Sequence, residues 1–173
     1  MPKTNDKELF EKIILEGFQA GLSWLTILKK RDNFRAAFHG FEPERMARYT
    51  AKDQARLMAD AGIVRNRLKI EAAIANARAY LALREQQTLA SFIWDHVDGE
   101  PVINTFRDFS EVPAETAMSK TLSKALKKRG FRFVGPTTMY AFMQASGLVN
   151  DHLVSCPRHA ACAALQTSLD LNR

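Results

Sequence analysis

Glycines placed where helices must stop constrain this chain more than any other feature. Gly62 follows "TAKDQARLMADA", Gly130 follows "SKTLSKALKKR" and Gly147 follows "PTTMYAFMQAS". Each of these segments carries apolar residues at three- and four-residue spacings, and glycine enters the left-handed region that ends a helix without strain. Starts are marked as well: Asn5 and Thr50 are N-cap residue types, and Pro136 suits the first position of a helix. One further helix is read from Trp24 through Phe38. A long Ala-rich one, "NRLKIEAAIANARAYLALRE", puts Ile70, Ile74, Ala77 and Leu81 on one stripe. Strand signals are nearly absent; "EPVINTF" reads as a short extended piece with no evident partner. The expectation is an all-α domain of about eight helices.

With 173 residues, 46% of them hydrophobic, the chain has enough apolar surface for one core and no linker to divide it. Residues 1–156 are read as a single domain and 157–173 as a flexible C-terminal tail. Charged residues interrupt the apolar runs within a turn or two, so no membrane span is expected. "MPKTNDKELF" lacks the apolar core of a secretory signal. Two cysteines, Cys156 and Cys162, exclude a disulfide framework and fit a reducing, cytoplasmic setting. The net charge of +6 is gathered into bunches, among them Arg65, Arg67 and Lys69. Such bunches suit either solvated helix faces or a polyanion such as nucleic acid. No Ser-His-Asp set, phosphate-cradling Gly-rich loop or HExxH is present, which removes those chemistries.

Three short stretches carry residues of chemical interest. In "DAGIVRNRLKI" one helix gives way to the next around Gly62, with Arg65, Arg67 and Lys69 at the entrance of the second. Free backbone N–H groups there, beside cations, suit a phosphate oxygen. A plain helix–helix connection fits the same pattern, because a second glycine is missing. In "ILEGFQAGLSW", Glu16 precedes a bend bearing Leu22, with Trp24 beyond it. A carboxylate near an aromatic face suits a cationic planar ligand; a solvated Glu at a helix end is the alternative. In "NDHLVSCPRH", His152 and Cys156 stand four apart, which on a helix stacks them on one face. Two ligands are half of a tetrahedral zinc site. His159 and Cys162 follow closely, but the four together match no strong zinc pattern.

"LEGFQAGLSWLTILKKRDNFRAAFHGF", "DAGIVRNRLKIEAAIANARAY" and "SKALKKRGFRFVGPTTMYAFMQASGLVNDH", with the trailing His-x3-Cys, closely resemble the DNA-3-methyladenine glycosylase I family. The resemblance runs from about residue 2 to residue 156 and implies a helix–hairpin–helix glycosylase fold. It implies monofunctional removal of 3-methyladenine from alkylated double-stranded DNA by a monomer in base-excision repair. By the same resemblance Glu16 recognises the base, Trp24 stacks on it once flipped, and Leu22 fills the gap in the duplex with Gln19 on the same bend. The turn from Gly62 through Arg65 and Arg67 to Lys69 grips DNA. Superfamily relatives place an Asp soon after the hairpin to assist bond cleavage, whereas "NARAYLALRE" has none, so Glu16 is assigned to recognition rather than attack.

Family members carry a further N-terminal stretch that supplies a Cys and a His for zinc and aromatics for the base pocket, and this chain is read as beginning after it. His152 and Cys156 are therefore expected to be half of a structural zinc site, left empty unless His159 and Cys162 close it. An alternative reading is a non-catalytic helix–hairpin–helix DNA-binding module.

Overall fold

The computed structural model describes residues 2–169. Helix α1 (Asp6–Gln19) forms the axis. Asn5 caps it by accepting from the Glu8 amide, and between Leu9 and Phe18 every residue except Lys12 is buried. A helix buried on nearly all sides must be wrapped by others, and this one packs against α2 (Trp24–Lys29), α6 (Arg67–Arg84), α7 (Leu89–Trp94) and α9 (Pro136–Ser146). The remaining helices are α3 (Arg31–Ala37), α4 (Pro43–Met46), α5 (Ala51–Ala59), α8 (Ala117–Lys128) and α10 (Pro157–Thr167). The fold is all-α, as expected, with ten α-helices among the described residues.

Several expectations need adjustment. The helix read from Trp24 to Phe38 breaks at Lys30, whose ammonium donates to the carbonyls of Ala61 and Gly62. The helix expected to end on Gly62 stops at Ala59, and Gly62 does not adopt a left-handed conformation. Its lack of a side chain serves close packing instead: a Cβ there would sit 2.9 Å from Asp60 Oδ1 and 3.3 Å from Asn33. Gly147, by contrast, ends α9 at φ 76°, as its position predicts. "EPVINTF" does find a partner. Strand β1 (Val102–Ile103) pairs in parallel with β2 (Val149–Asn150), Val102 facing Val149. Two rungs separated by so much chain leave no local pattern to read. The segment expected as a flexible tail is helical over α10, anchored by Gln166 Nε2 donating to the Gly147 carbonyl; residues 170–173 lie outside the described residues.

Candidate active site

The C-terminus of α1, the bend after it, and the end of α9 running into β2 enclose a cavity of about 430 Å³. Glu16, Gln19, Trp24 and His152, named from the sequence, line it together. Glu16 is 3% exposed, and burial pushes its carboxyl up to about 7 against the counter-pull of Lys12. Lys12 lies one helical turn earlier, with its ammonium 5.9 Å from the centre of the Trp24 ring. Burial lowers its pKa, while Glu16 acts in the opposite sense. The cavity wall thus carries a carboxyl group and an aromatic face, with the Lys12 cation close to the Trp24 ring.

The bend is a tight turn. The Leu22 amide donates to the Gln19 carbonyl at 2.7 Å, and Gln19 Nε2 returns a bond of the same length to the Leu22 carbonyl. Gly21 sits at φ 78°, where a side chain would be strained. Ser23 then caps α2 through the Thr26 amide. The turn holds Leu22 outward, 39% exposed, three residues after the cavity-lining Gln19.

Arg65 and Arg67 are exposed at the hairpin between α5 and α6. The amides of Arg67 and Leu68, in the first turn of α6, have no intrahelical acceptor. Lys30 Nζ and Asn33 Nδ2 bind the hairpin's carbonyls from behind. Lys69 departs from its expected role. It is 8% exposed and donates to the Phe18 carbonyl at 2.8 Å and the Ala20 carbonyl at 2.6 Å. It ties up the carbonyls at the end of α1, and burial lowers its pKa. The spacing that suggested a surface cation misled, because the side chain turns inward at the first buried position of α6.

His152 and Cys156 do come together, with Sγ 4.0 Å from Nδ1. They do so across a turn closed by the Cys156 amide on the Leu153 carbonyl, rather than on a helix face. A zinc ion holding one imidazole nitrogen and one thiolate keeps them roughly 3.5–3.8 Å apart, so the pair fits two corners of a tetrahedron. Among the described residues no third donor joins them. His159 instead points Nε2 at the Asn104 carbonyl, 2.8 Å away, so the described residues do not close a site by themselves.

Three residues at or near the pocket escaped the sequence reading: Lys12, beside the Trp24 ring, and Gln144 and Asp151, which line the cavity. The first carried a signal, because a Lys four residues before a Glu shares its helix face. The other two lie on α9 and just beyond β2, and only the tertiary fold brings them beside Glu16.

Comparison with known proteins agrees with this geometry. The family model described as methyladenine glycosylase matches residues 1–159. Over 157 residues, 90% of this chain, it is 54% identical to DNA-3-methyladenine glycosylase 1 of Escherichia coli (strain K12), spanning 84% of that protein. A crystal structure of 3-methyladenine DNA glycosylase I shares the fold at a TM-score of 0.89 and 52% identity, over 91% of this chain and 87% of that one. A solved variant of a 3-methyladenine DNA glycosylase I in complex with 3-methyladenine gives 0.87 at 40% identity, over 91% of this chain and 85% of the other. A family match over nearly the whole sequence, joined to a shared fold, decides the assignment: this chain belongs to the methyladenine glycosylase family.

Proposed function

We propose that this chain is a monofunctional DNA glycosylase that hydrolyses the N-glycosidic bond of 3-methyladenine in alkylated double-stranded DNA. The observation that carries the reading is the buried Glu16 carboxylate facing a purine-sized cavity beside Trp24. Relatives whose names carry the same activity support it.

Methylation at N3 leaves adenine positively charged while it is still attached to the sugar, and that charge already makes it a good leaving group. The protein's work is to take the base out of the stack and hold it. On this reading Arg65, Arg67 and the free amides at the start of α6 hold phosphates, fixing position without reading sequence. Leu22 fills the space the base vacates, with Gln19 bracing the bend. The base enters the cavity against Trp24, where the Glu16 carboxylate compensates its charge. The C1′–N9 bond then breaks with its electron pair passing to the base, which becomes neutral. Water adds to C1′, its proton goes to solvent, and an abasic site remains. Glu16 selects the cationic base over undamaged adenine; it forms no bond to the sugar.

Incubation of the chain with methylated duplex DNA, followed by chromatography of released bases, tests the reading. Release of 3-methyladenine with formation of alkali-labile sites is expected. Binding of DNA with no release overturns the assignment and leaves a DNA-binding module. We further propose that His152 and Cys156 donate two ligands to a structural zinc. We also propose that the chain acts as a monomer in the cytoplasm, where its DNA substrate and the reducing conditions suited to its two free thiols coincide. Light scattering of the purified chain checks the monomer.

A further inference from the structure

Phe133 stands in a conformation that its residue type resists. Its φ is 55°, in the left-handed region, where a bulky aromatic is strained and a glycine would not be. Its two neighbours are held from behind. Asn76, 3% exposed on α6, donates Nδ2 to the Arg132 carbonyl at 3.1 Å and accepts the Arg132 amide on Oδ1 at 2.7 Å. Ser123 Oγ, equally buried on α8, donates to the Val134 carbonyl at 2.6 Å, and Val134 itself is fully buried. Two buried polar side chains thus fix the backbone around one aromatic that stays 38% exposed. Strain maintained in this way points to a task for the side chain rather than for the turn.

That side chain lies between the two halves of the site. A Cβ on Gly17, the residue after Glu16, would come 3.3 Å from Phe133 Cβ, so the loop rests directly on the end of α1. A void of about 10 Å³ is shared by Phe133, Gly17, Phe18, Lys69 and Ala73. Lys69 is the cation that ties the first turn of α6 to the bend. Phe133 therefore touches the end of α1, which carries Glu16, and the start of α6, which carries Arg67. A nucleotide held by both has its base at the first, its phosphate at the second and its deoxyribose between them.

We propose that Phe133 is a catalytic residue whose ring packs against the deoxyribose of the extruded nucleotide and favours the positive charge that develops at C1′. The inference rests on the glycosylase reading and adds a contact to the sugar, where Glu16 and Trp24 serve the base. As the C1′–N9 bond lengthens, its electron pair moves to the base, which loses its positive charge while C1′ and the ring oxygen gain one. An aromatic ring attracts a cation, most strongly where water is excluded. Toward the neutral sugar of the bound substrate it offers packing alone, so the added attraction belongs to the transition state.

Single-turnover excision of 3-methyladenine from methylated duplex DNA, at saturating enzyme, is to be measured for the wild-type chain, Phe133→Leu and Phe133→Tyr. Phe133→Leu keeps an apolar side chain and loses the ring, and its rate should fall on the order of tenfold. Phe133→Tyr keeps the ring and should keep most of the rate. Binding of free 3-methyladenine, followed by tryptophan fluorescence, should match the wild-type chain in both variants, since the base pocket is untouched. An unchanged rate in Phe133→Leu, or an equal loss in Phe133→Tyr, would overturn the inference. So would a loss of free-base binding that parallels the loss of rate. Melting temperatures establish folding, and Phe133→Gly, which relieves the backbone strain, replaces Phe133→Leu if the latter does not fold. A wild-type chain that releases no 3-methyladenine sinks the glycosylase reading, whereas an active chain indifferent to Phe133 sinks only the inference.

Discussion

Lys69 Nζ donates to the Ala20 carbonyl at 2.6 Å, joining the first turn of α6 to the bend that carries Gln19 and Leu22. The same ammonium holds the Phe18 carbonyl. The hairpin and the base pocket are therefore fastened through one buried cation.

Lys69→Met should cost about 2 kcal/mol of stability, because a charged donor is removed and two carbonyls are left unpaired. It should leave the salt dependence of DNA binding unchanged. Arg65→Ala and Arg67→Ala should do the reverse: little change in stability, and a salt slope lower by roughly one for each phosphate no longer neutralised. Urea denaturation and binding titrations at several salt concentrations separate the two classes.

Burial makes Glu16 titrate near pH 7 before a base binds. Only its ionised form compensates a cationic base, so kcat/KM for 3-methyladenine should rise as pH increases through about 7. A bound cation favours the carboxylate, which moves the corresponding break in kcat to lower pH. Glu16→Gln should abolish both steps and weaken excision of 3-methyladenine far more than binding to undamaged DNA. A pH profile of the variant that keeps the step would assign it to another group.

The same residue has a stability signature. Its folded pKa lies above the unfolded value of about 4.5, so the folded state holds its proton more tightly. That contribution is fully present below pH 4.5 and is lost as pH rises to about 7. Above this the buried carboxylate disfavours folding by up to about 3 kcal/mol. Glu16→Gln should therefore be more stable than the wild-type chain at pH 8, with the difference shrinking toward pH 5. Thermal melts across that range check the sign.

The His152 and Cys156 proposal is tested by metal analysis of the purified chain. Zinc retained by the wild-type chain, and released in His152→Ala or Cys156→Ala but not in Cys162→Ala, is the expected pattern. No zinc in the wild-type chain, or its release on Cys162→Ala, would count against it.

Most of the helical frame was legible because caps and stops are local: Thr50, Pro136, Gly130 and Gly147 mark the boundaries they should. Lys30 broke a helix the pattern ran through, since its side chain reaches thirty-one residues along the chain to Ala61. Gly62 resembled a helix stop but serves packing against Asn33, a neighbour from another helix. Glu16, Gln19, Leu22 and Trp24 were readable as a group because they share one short segment. Gln144 and Asp151 were not, because the fold alone brings them to that segment. Lys69 was misplaced because charge predicts exposure, and here two backbone carbonyls hold the charge inside.

Lys12 means that the pocket's carboxyl does not face a bound cation without prior electrostatic company. Four residues before Glu16 on the same helix, it partly offsets the effect of burial on that carboxyl. On the proposed reading a cationic base adds its charge to that of Lys12, so loading the site strengthens a pull that is already there. Cleavage then removes the charge from the base, because the electron pair of the broken bond neutralises it. On that reading Lys12 alone is left to act on Glu16, and the electrostatic hold on the product ends with the reaction that made it.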